Sequence, residues 1–243
     1  FWYGGQPFPT SESGSANLAY SWVYYSDDEG QTWHRSLSEL LILLNDMQIG
    51  AHHFEEPVLE ELKDGRLLMY GRTAFGRLYQ SLSENGGVSW SVLTPTDLAS
   101  SYSPCTLVRI PSTGDLLLIW NQISEDEIKA GLVRHRLSCA ISRDEGGTWG
   151  FRRNLESLDD VTSIDPPEDP TRVVRGGPLR QPSDRKRYHR APGALRVCYP
   201  TVVFNENEVA IVYDFGYSAG DPQNRKSATK IKIVTPDWLY GRV

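Results

Sequence analysis

The sequence lacks an excess of positive charge and lacks long apolar runs, and each absence excludes a class of partner. It carries 25 Lys and Arg against 31 Asp and Glu, a formal net charge of −6. A phosphate-binding surface needs a basic excess, so a nucleic-acid partner is not expected, although a few local arginines can still bind a small anion. No apolar stretch reaches the ~20 residues of a membrane span. The length of 243 residues predicts a single domain over 1–243.

Cysteine is scarce, with three residues in the whole chain. Cys105, Cys139 and Cys198 each lie in an apolar, strand-like run, and an odd number does not suit a disulfide framework. We therefore predict buried free thiols and no metal-ligand cysteines, and nothing in the sequence implies a cofactor. An initial Met and a signal peptide are also absent, which predicts that a segment upstream of Phe1 is missing from this chain.

One short motif is present three times. It reads S-x-[DN]-x-G-x-[ST]-W and recurs at an interval of about 58 residues, as Ser26–Trp33, Ser83–Trp90 and Ser142–Trp149. Regular recurrence at this period is the mark of a repeat architecture.

The composition of the motif predicts a hairpin turn. The side chains of Asp28, Asn85 and Asp144 can fold back onto nearby backbone N–H groups, and a glycine two residues later supplies a left-handed conformation. Each motif ends in a tryptophan, which we expect to begin the next strand and to bury its ring under the hairpin; these are Trp33, Trp90 and Trp149. A calcium loop of the EF-hand type would need further ligands and a distal Glu, which are missing.

Short strands and turns alternate between the motifs. The second unit predicts strands at 57–62, 66–71, 76–83 and 90–93, and the third at 105–110, 115–121, 132–142 and 149–153. The fourth, without the motif, predicts strands at 197–204, 208–213 and 229–234, and the best helix candidate is Ser36–Leu44. Four antiparallel strands per unit predict an all-β fold, a β-propeller of four-stranded blades. About Leu155–Leu195 is rich in Pro, Arg and Asp and predicts a long loop.

Three segments around these motifs resemble the bacterial sialidase (exo-α-neuraminidase) family, whose repeated turn is called an Asp box. In Glu56–Thr73, a Glu opens a strand, an Asp-Gly turn follows and an Arg ends the return strand. Arg134–Ser142 resembles the family's third-arginine strand, and Tyr199–Val203 the strand that begins with the catalytic tyrosine. The resemblance covers most of Leu18–Tyr213. It implies a six-bladed propeller whose N-terminal blades are missing from this chain, which we favour over a closed four-bladed ring.

The resemblance also implies a chemistry. Sialic acid carries a carboxylate on its anomeric carbon, so a neutral tyrosine avoids the repulsion that a carboxylate nucleophile would meet, and sialidases depart from the two-carboxylate scheme in this way. Tyr199 is then the nucleophile and Glu56 the base that takes its proton, with retention of configuration. The neighbouring Glu55 stays an alternative match for Glu56.

Arginines would hold the substrate carboxylate, because a guanidinium can bind it through two hydrogen bonds. The resemblance gives this role to Arg72 and Arg134, with Arg136 as the alternative to Arg134, and makes Asp214 the acidic position that steadies the family's first arginine. That first arginine and the acid/base Asp would lie upstream of this chain.

Two functions therefore stay open. One is a glycosidase that removes terminal sialic acid, or a related acidic sugar, from a glycan; the other is a non-catalytic propeller that binds a glycan or a protein. A metal site at His52 and His53 is not favoured, since adjacent residues on a strand point to opposite sides. The basic run Arg185–Arg190 is interpreted as a solvated loop. The resemblance is compatible with a secreted or periplasmic location, and the oligomeric state is not indicated.

Overall fold

The computed structural model describes residues 2–4, 20–44, 50–52, 54–130, 132–168, 195–218 and 225–242. Within these ranges the fold is all-β, with antiparallel sheets whose strands pair in chain order. A three-stranded sheet holds β1 (Trp2–Gly4), β2 (Ser21–Tyr25) and β3 (His34–Arg35), and a two-stranded sheet holds β4 (Ile42–Leu44) and β5 (Gly50–His52).

Three larger sheets follow along the chain. The first contains β6 (Glu55–Glu61), β7 (Leu67–Arg72), β8 (Arg77–Ser83) and β9 (Thr94–Ala99). The second contains β10 (Thr106–Arg109), β11 (Leu116–Trp120), β12 (Leu137–Ser142) and β13 (Gly150–Glu156). The third contains β14 (Leu195–Phe204), β15 (Val209–Ser218) and β16 (Arg225–Val234).

Two short helices interrupt the sheets, α1 (Glu125–Lys129) and α2 (Pro236–Leu239), and the sequence interpretation missed both. Ser124 caps α1 in a capping box, since its hydroxyl accepts from the backbone of Glu127 while the Glu127 side chain accepts from the backbone of Ser124. Neither helix is long enough to span a membrane, and no other described helix is.

The repeated turns have the predicted hydrogen bonds. In the first, Asp28 accepts from the backbone N–H of Thr32 at 2.8 Å and from its hydroxyl at 2.6 Å. The Ser26 hydroxyl accepts from the N–H of Gly30 at 2.8 Å. Gly30 has a φ of 85°, the left-handed value expected of it. The turn at Asp144 repeats these bonds. The turn at Asn85 repeats the two backbone bonds, but there the side-chain amide donates to the Ser89 hydroxyl.

The tryptophans of the three turns differ from one another. Trp90 is buried and Trp149 is partly buried, with its indole N–H donating to the Tyr70 hydroxyl at 3.3 Å. The prediction of a buried ring is wrong for Trp33, which is 44% exposed, because its indole folds back and donates to the carbonyl of Gly30 in its own turn.

Two local predictions are wrong. Ser36–Leu44 is not a helix, because Leu40 pairs with Ser21 through two backbone hydrogen bonds and Ile42–Leu44 forms β4. The strand predicted at 90–93 begins instead at Thr94, because the backbone of Trp90 is bonded to the Ser38 hydroxyl. In both cases contacts distant in sequence override the local pattern.

The core lies between the larger sheets. Every residue of β11 is buried, and its Trp120 donates to the carbonyl of Ala99 at 2.9 Å. The three cysteines are free and buried, as predicted, and burial raises the pKa of Cys105 and Cys139 to about 12.

The first strands of the three larger sheets are neighbours, with β10 in contact with both β6 and β14. Arg109 of β10 donates to the carbonyl of Glu61 in β6 at 2.5 Å, and the Thr106 hydroxyl donates to the carbonyl of Pro200 in β14. Side chains on β6 and β14 therefore face a common region. The first two residues of the predicted loop at 155–195 belong to β13. Residues 157–168 have no regular structure, and residues 169–194 lie outside the described part of the chain.

Candidate functional site

The first strands β6 and β14 share one irregularity. In β6 the pairing register with β7 shifts between Glu55 and Val58, and in β14 the register with β15 shifts between Cys198 and Thr201. One residue in each shift is left-handed, Glu56 at a φ of 46° and Tyr199 at 55°.

This backbone is costly for both residues. Left-handed backbone is unfavourable for residues other than glycine, and a residue before proline normally prefers extended backbone. Pro57 follows Glu56 and Pro200 follows Tyr199, so both positions depart from that preference. Such strain is worth of order 1–3 kcal/mol per residue, and it concentrates at functional sites. The two residues that the resemblance selects are thus the two strained residues of these strands.

The shift in β6 brings two adjacent carboxylates to one arginine. Neighbouring residues of a regular strand point to opposite faces, and the left-handed Glu56 breaks that alternation. Arg72 donates to Glu55 through Nη2 at 2.6 Å and Nε at 3.1 Å, and its Nη1 lies 2.8 Å from Oε2 of Glu56. The second contact is an ion pair without hydrogen-bond geometry, because Oε2 of Glu56 makes no hydrogen bond to the described residues.

Tyr199 reaches the same carboxylate from β14. Its hydroxyl donates to Oε1 of Glu56 at 3.3 Å, and the residue is 45% exposed. The guanidinium carbon of Arg134 lies 5.2 Å from the centre of that ring, within the range of a cation–π contact. The structure therefore brings together Tyr199, Glu56, Arg72 and Arg134.

Tyr102, just before β10, also joins this group. Its hydroxyl donates to Glu55, and its ring centre lies 4.5 Å from the guanidinium carbon of Arg72. Its carbonyl accepts from Arg134 at 3.4 Å. The sequence interpretation missed Tyr102, because a single aromatic residue in a Ser-rich segment carries no repeat or strand signal. We call the whole group the site cluster: Glu55, Glu56, Arg72, Tyr102, Arg134 and Tyr199.

The charges of the site cluster balance, with two glutamates and two arginines. Burial alone would lower the pKa of Arg72, but Tyr102, Glu56 and Glu55 outweigh it and raise the pKa. Arg72 therefore stays charged at neutral pH in spite of its burial.

Two other predicted residues lie outside the site cluster. Arg136, the alternative to Arg134, has a side chain only 1% exposed and is paired with Glu127 at 2.8 Å and with Asp159. These carboxylates hold its guanidinium, so Arg134 rather than Arg136 lies beside Tyr199. Asp214 faces solvent on β15, opposite Cys198, and makes no ion pair with the described residues. Its role toward a first arginine stays a prediction.

No three His, Cys, Asp or Glu side chains among the described residues are grouped to hold a metal ion. The side chains of His52 and His53 and the basic run at 185–190 lie outside the residues whose side chains are described.

Gly71 allows the close approach that places Arg72 opposite Glu55. A methyl group on Gly71 would overlap the ring of Phe54, which is fully buried next to Glu55. We expect Gly71→Ala to lower the free energy of unfolding by about 1–3 kcal/mol, the usual cost of overpacking a core. Urea denaturation measures this change. Gly150→Ala is the control, because a methyl group there meets no atom within 4 Å; equal effects of the two substitutions would contradict the argument.

Comparisons with known proteins agree with this architecture. Residues 6–212 match the profile of the family described as BNR repeat-like domain. The search of curated proteins gives no match.

Solved structures of similar fold include an intramolecular trans-sialidase from Ruminococcus gnavus in complex with oseltamivir carboxylate. It is 17% identical, with a TM-score of 0.57, and the match covers 98% of this chain and 44% of that one. A protein of unknown function from Dyadobacter fermentans is 18% identical, with a TM-score of 0.55 and coverages of 90% and 46%. A leech intramolecular trans-sialidase is 15% identical, with a TM-score of 0.51 and coverages of 98% and 32%. The chain spans less than half the length of each, and at these identities the likeness shows the fold.

Proposed function

The chain belongs to the BNR repeat-like family, and on that premise we propose that it is an exo-acting glycosidase for sialic acid or a related acidic sugar. The observation that carries the proposal is the contact between Tyr199 and Glu56. The two residues come from different sheets, each has strained backbone, and their side chains meet at 3.3 Å. This distance is slightly longer than the roughly 2.6–3.2 Å of catalytic proton transfer, and catalytic hydrogen bonds are often long before substrate binds.

The proposed reaction has two steps. In the first, Glu56 accepts the proton of the Tyr199 hydroxyl while the phenolic oxygen bonds to the anomeric carbon, and the bond from that carbon to the leaving oxygen breaks. In the second, a water molecule attacks the same carbon and releases one proton to solvent, the bond from that carbon to the phenolic oxygen breaks, and Glu56 returns its proton to Tyr199. The two displacements together retain the configuration. Arg72 and Arg134 supply the positive charge that draws the sugar's carboxylate to the site.

The proposed architecture is a propeller. Adjacent first strands β6, β10 and β14 support it, because inner strands of consecutive blades lie side by side around a common axis. The site cluster would then lie near that axis. The turns at Ser26, Asn85 and Asp144 would lie farther from it, because each joins the last two strands of its sheet.

The activity is tested with 4-methylumbelliferyl sialic acid. An aryl group leaves without first being protonated, so this substrate examines the Tyr199–Glu56 pair independently of any acid residue that protonates the leaving group. We expect release of the fluorophore, with the α-anomer of the sugar as the first product in ¹H NMR. A β-anomer formed first would contradict a tyrosyl intermediate.

One observation favours the second candidate, a propeller that binds an acidic glycan without cleaving it. No hydrogen bond or ion pair between described residues joins an Asp to the site cluster, although the resemblance calls for an acid/base Asp. Binding of sialyllactose by the folded protein without any release of the aryl fluorophore would establish this candidate in place of the enzyme.

A further inference from the structure

The two arginines of the site cluster have different surroundings. Three nitrogens of Arg72 contact the carboxylates of Glu55 and Glu56, and one face of its guanidinium lies against the ring of Tyr102. Its side chain is 13% exposed. An arginine held in this way has few directions left from which a substrate carboxylate can approach.

Arg134 has weaker contacts. Its hydrogen bonds to Sγ of Cys198 and to the carbonyl of Tyr102 are both 3.4 Å long. No carboxylate among the residues that the structure describes pairs with it. Its guanidinium lies over the ring of Tyr199, whose hydroxyl would attack the sugar. A substrate carboxylate can therefore replace long, weak contacts with short charge-assisted ones.

The remaining contacts form a chain that ends at the nucleophile. Tyr102 donates to Glu55, Glu55 accepts from Arg72, Arg72 pairs with Glu56, and Glu56 accepts from Tyr199. Each member fixes the next, and a half-buried network of this kind holds its members more rigidly than isolated pairs do.

We propose that Tyr102 and Glu55 are positioning residues: they brace Arg72 so that it orients Glu56, and they leave Arg134 as the cation that binds the substrate's carboxylate. The inference rests on the proposed function. The resemblance implies that Arg72 contacts the substrate directly. We replace that role with an indirect one, because Arg72 is held by Glu55 and Glu56 and acts on the reaction through Glu56.

The two proposed roles, positioning of Glu56 and binding of the substrate's carboxylate, predict different kinetic effects. Glu55→Gln keeps the shape of the side chain but removes the charge that holds Arg72, so we expect kcat to fall about 10–100-fold while KM changes less than about threefold; substitutions of residues that orient another functional group have effects of this size. Tyr102→Phe should lower kcat in the same way but less. Arg134→Gln should instead raise KM and the Kd for free N-acetylneuraminic acid about 10–100-fold, because a hydrogen bond to a charged group is lost.

The design separates this inference from the proposed function. Glu61→Gln is the matched control, because Glu61 is an exposed glutamate of the same strand β6. A second measurement needs no catalysis: solvent exchange of the Nε–H of Arg72 in ¹⁵N NMR spectra should be slow in the wild type, because this proton is donated to Glu55, and fast in Glu55→Gln. If the wild type releases no fluorophore, the proposed function fails, while the NMR and binding experiments still test the brace. The positioning role of Glu55 is overturned if Glu55→Gln leaves both kcat and the solvent exchange of the Arg72 Nε–H unchanged. It is also overturned if Glu55→Gln raises KM as much as Arg134→Gln does.

Discussion

Replacing Tyr199 with phenylalanine is expected to lower kcat for release of the aryl fluorophore by about 10³-fold or more. The substitution keeps the ring, and hence the contact with Arg134, but removes the oxygen that would bond to the sugar. Loss of a nucleophile removes an interaction that exists only along the reaction path, so kcat should fall while KM changes little. Steady-state rates with 4-methylumbelliferyl sialic acid measure the effect.

A matched control for Tyr199→Phe is Tyr217→Phe. Tyr217 is a tyrosine of similar exposure, 44% against 45%, and lies on β15 outside the site cluster. If Tyr199→Phe retained more than a tenth of the wild-type kcat, Tyr199 would not be the nucleophile. Tyr102 would then become the candidate, since its hydroxyl also donates to a glutamate of the site cluster.

The sequence was informative where function depends on residue type and order. Glu56, Arg72, Arg134 and Tyr199 were selected from separate segments by resemblance, and the structure places them within one cluster. The repeated turns were also predictable, because their hydrogen bonds join residues no more than four positions apart, as between Ser26 and Gly30.

The sequence was less informative where contacts join distant segments. Ser36–Leu44 has a helix-like pattern, yet the pairing of Leu40 with Ser21 decides its structure. The left-handed backbone at Glu56 has no signal in residue type, since glutamate and a following proline both favour other conformations. For the same reason the shared orientation of Glu55 and Glu56 could not be predicted: the alternation rule for strands gives them opposite faces.

The largest effect on stability is expected at Arg136, which lies outside the site cluster. Its side chain is 1% exposed and pairs with Glu127 and Asp159. Arg136→Met retains most of the apolar volume but leaves two carboxylates without their cation, and breaking a buried ion pair in this way costs roughly 3–5 kcal/mol. We expect a loss of about 3 kcal/mol, the lower end of that range, because Asp159 is 43% exposed and water can solvate it.

Urea denaturation of Arg136→Met at pH 7 measures this loss. Arg35→Met is the control, since Arg35 forms an ion pair with Glu39 in which both side chains are largely exposed, and such a pair is worth less than about 1 kcal/mol. Equal losses in the two variants would show that the surroundings of Arg136 do not hold its charge in a buried network.

The same network should make stability depend on pH in a particular range. Burial alone would raise the pKa of Glu127, but hydrogen bonds from Arg136, the backbone of Ser124 and His135 lower it to about 2, from an ordinary value of 4.5. Because the folded state holds this carboxylate ionised more strongly than the unfolded state does, its contribution is complete above pH 4.5 and disappears as the pH falls toward 2. The pKa of Asp159 is lowered too. Burial alone would raise it, but the hydrogen bond from Arg136 and weaker interactions outweigh burial. In Arg136→Met the free energy of unfolding should therefore fall less steeply between pH 4.5 and 2 than in the wild type.

Burial also lowers the pKa of His135, so part of the acid sensitivity that begins below pH 6.5 belongs to that residue and should persist in the variant.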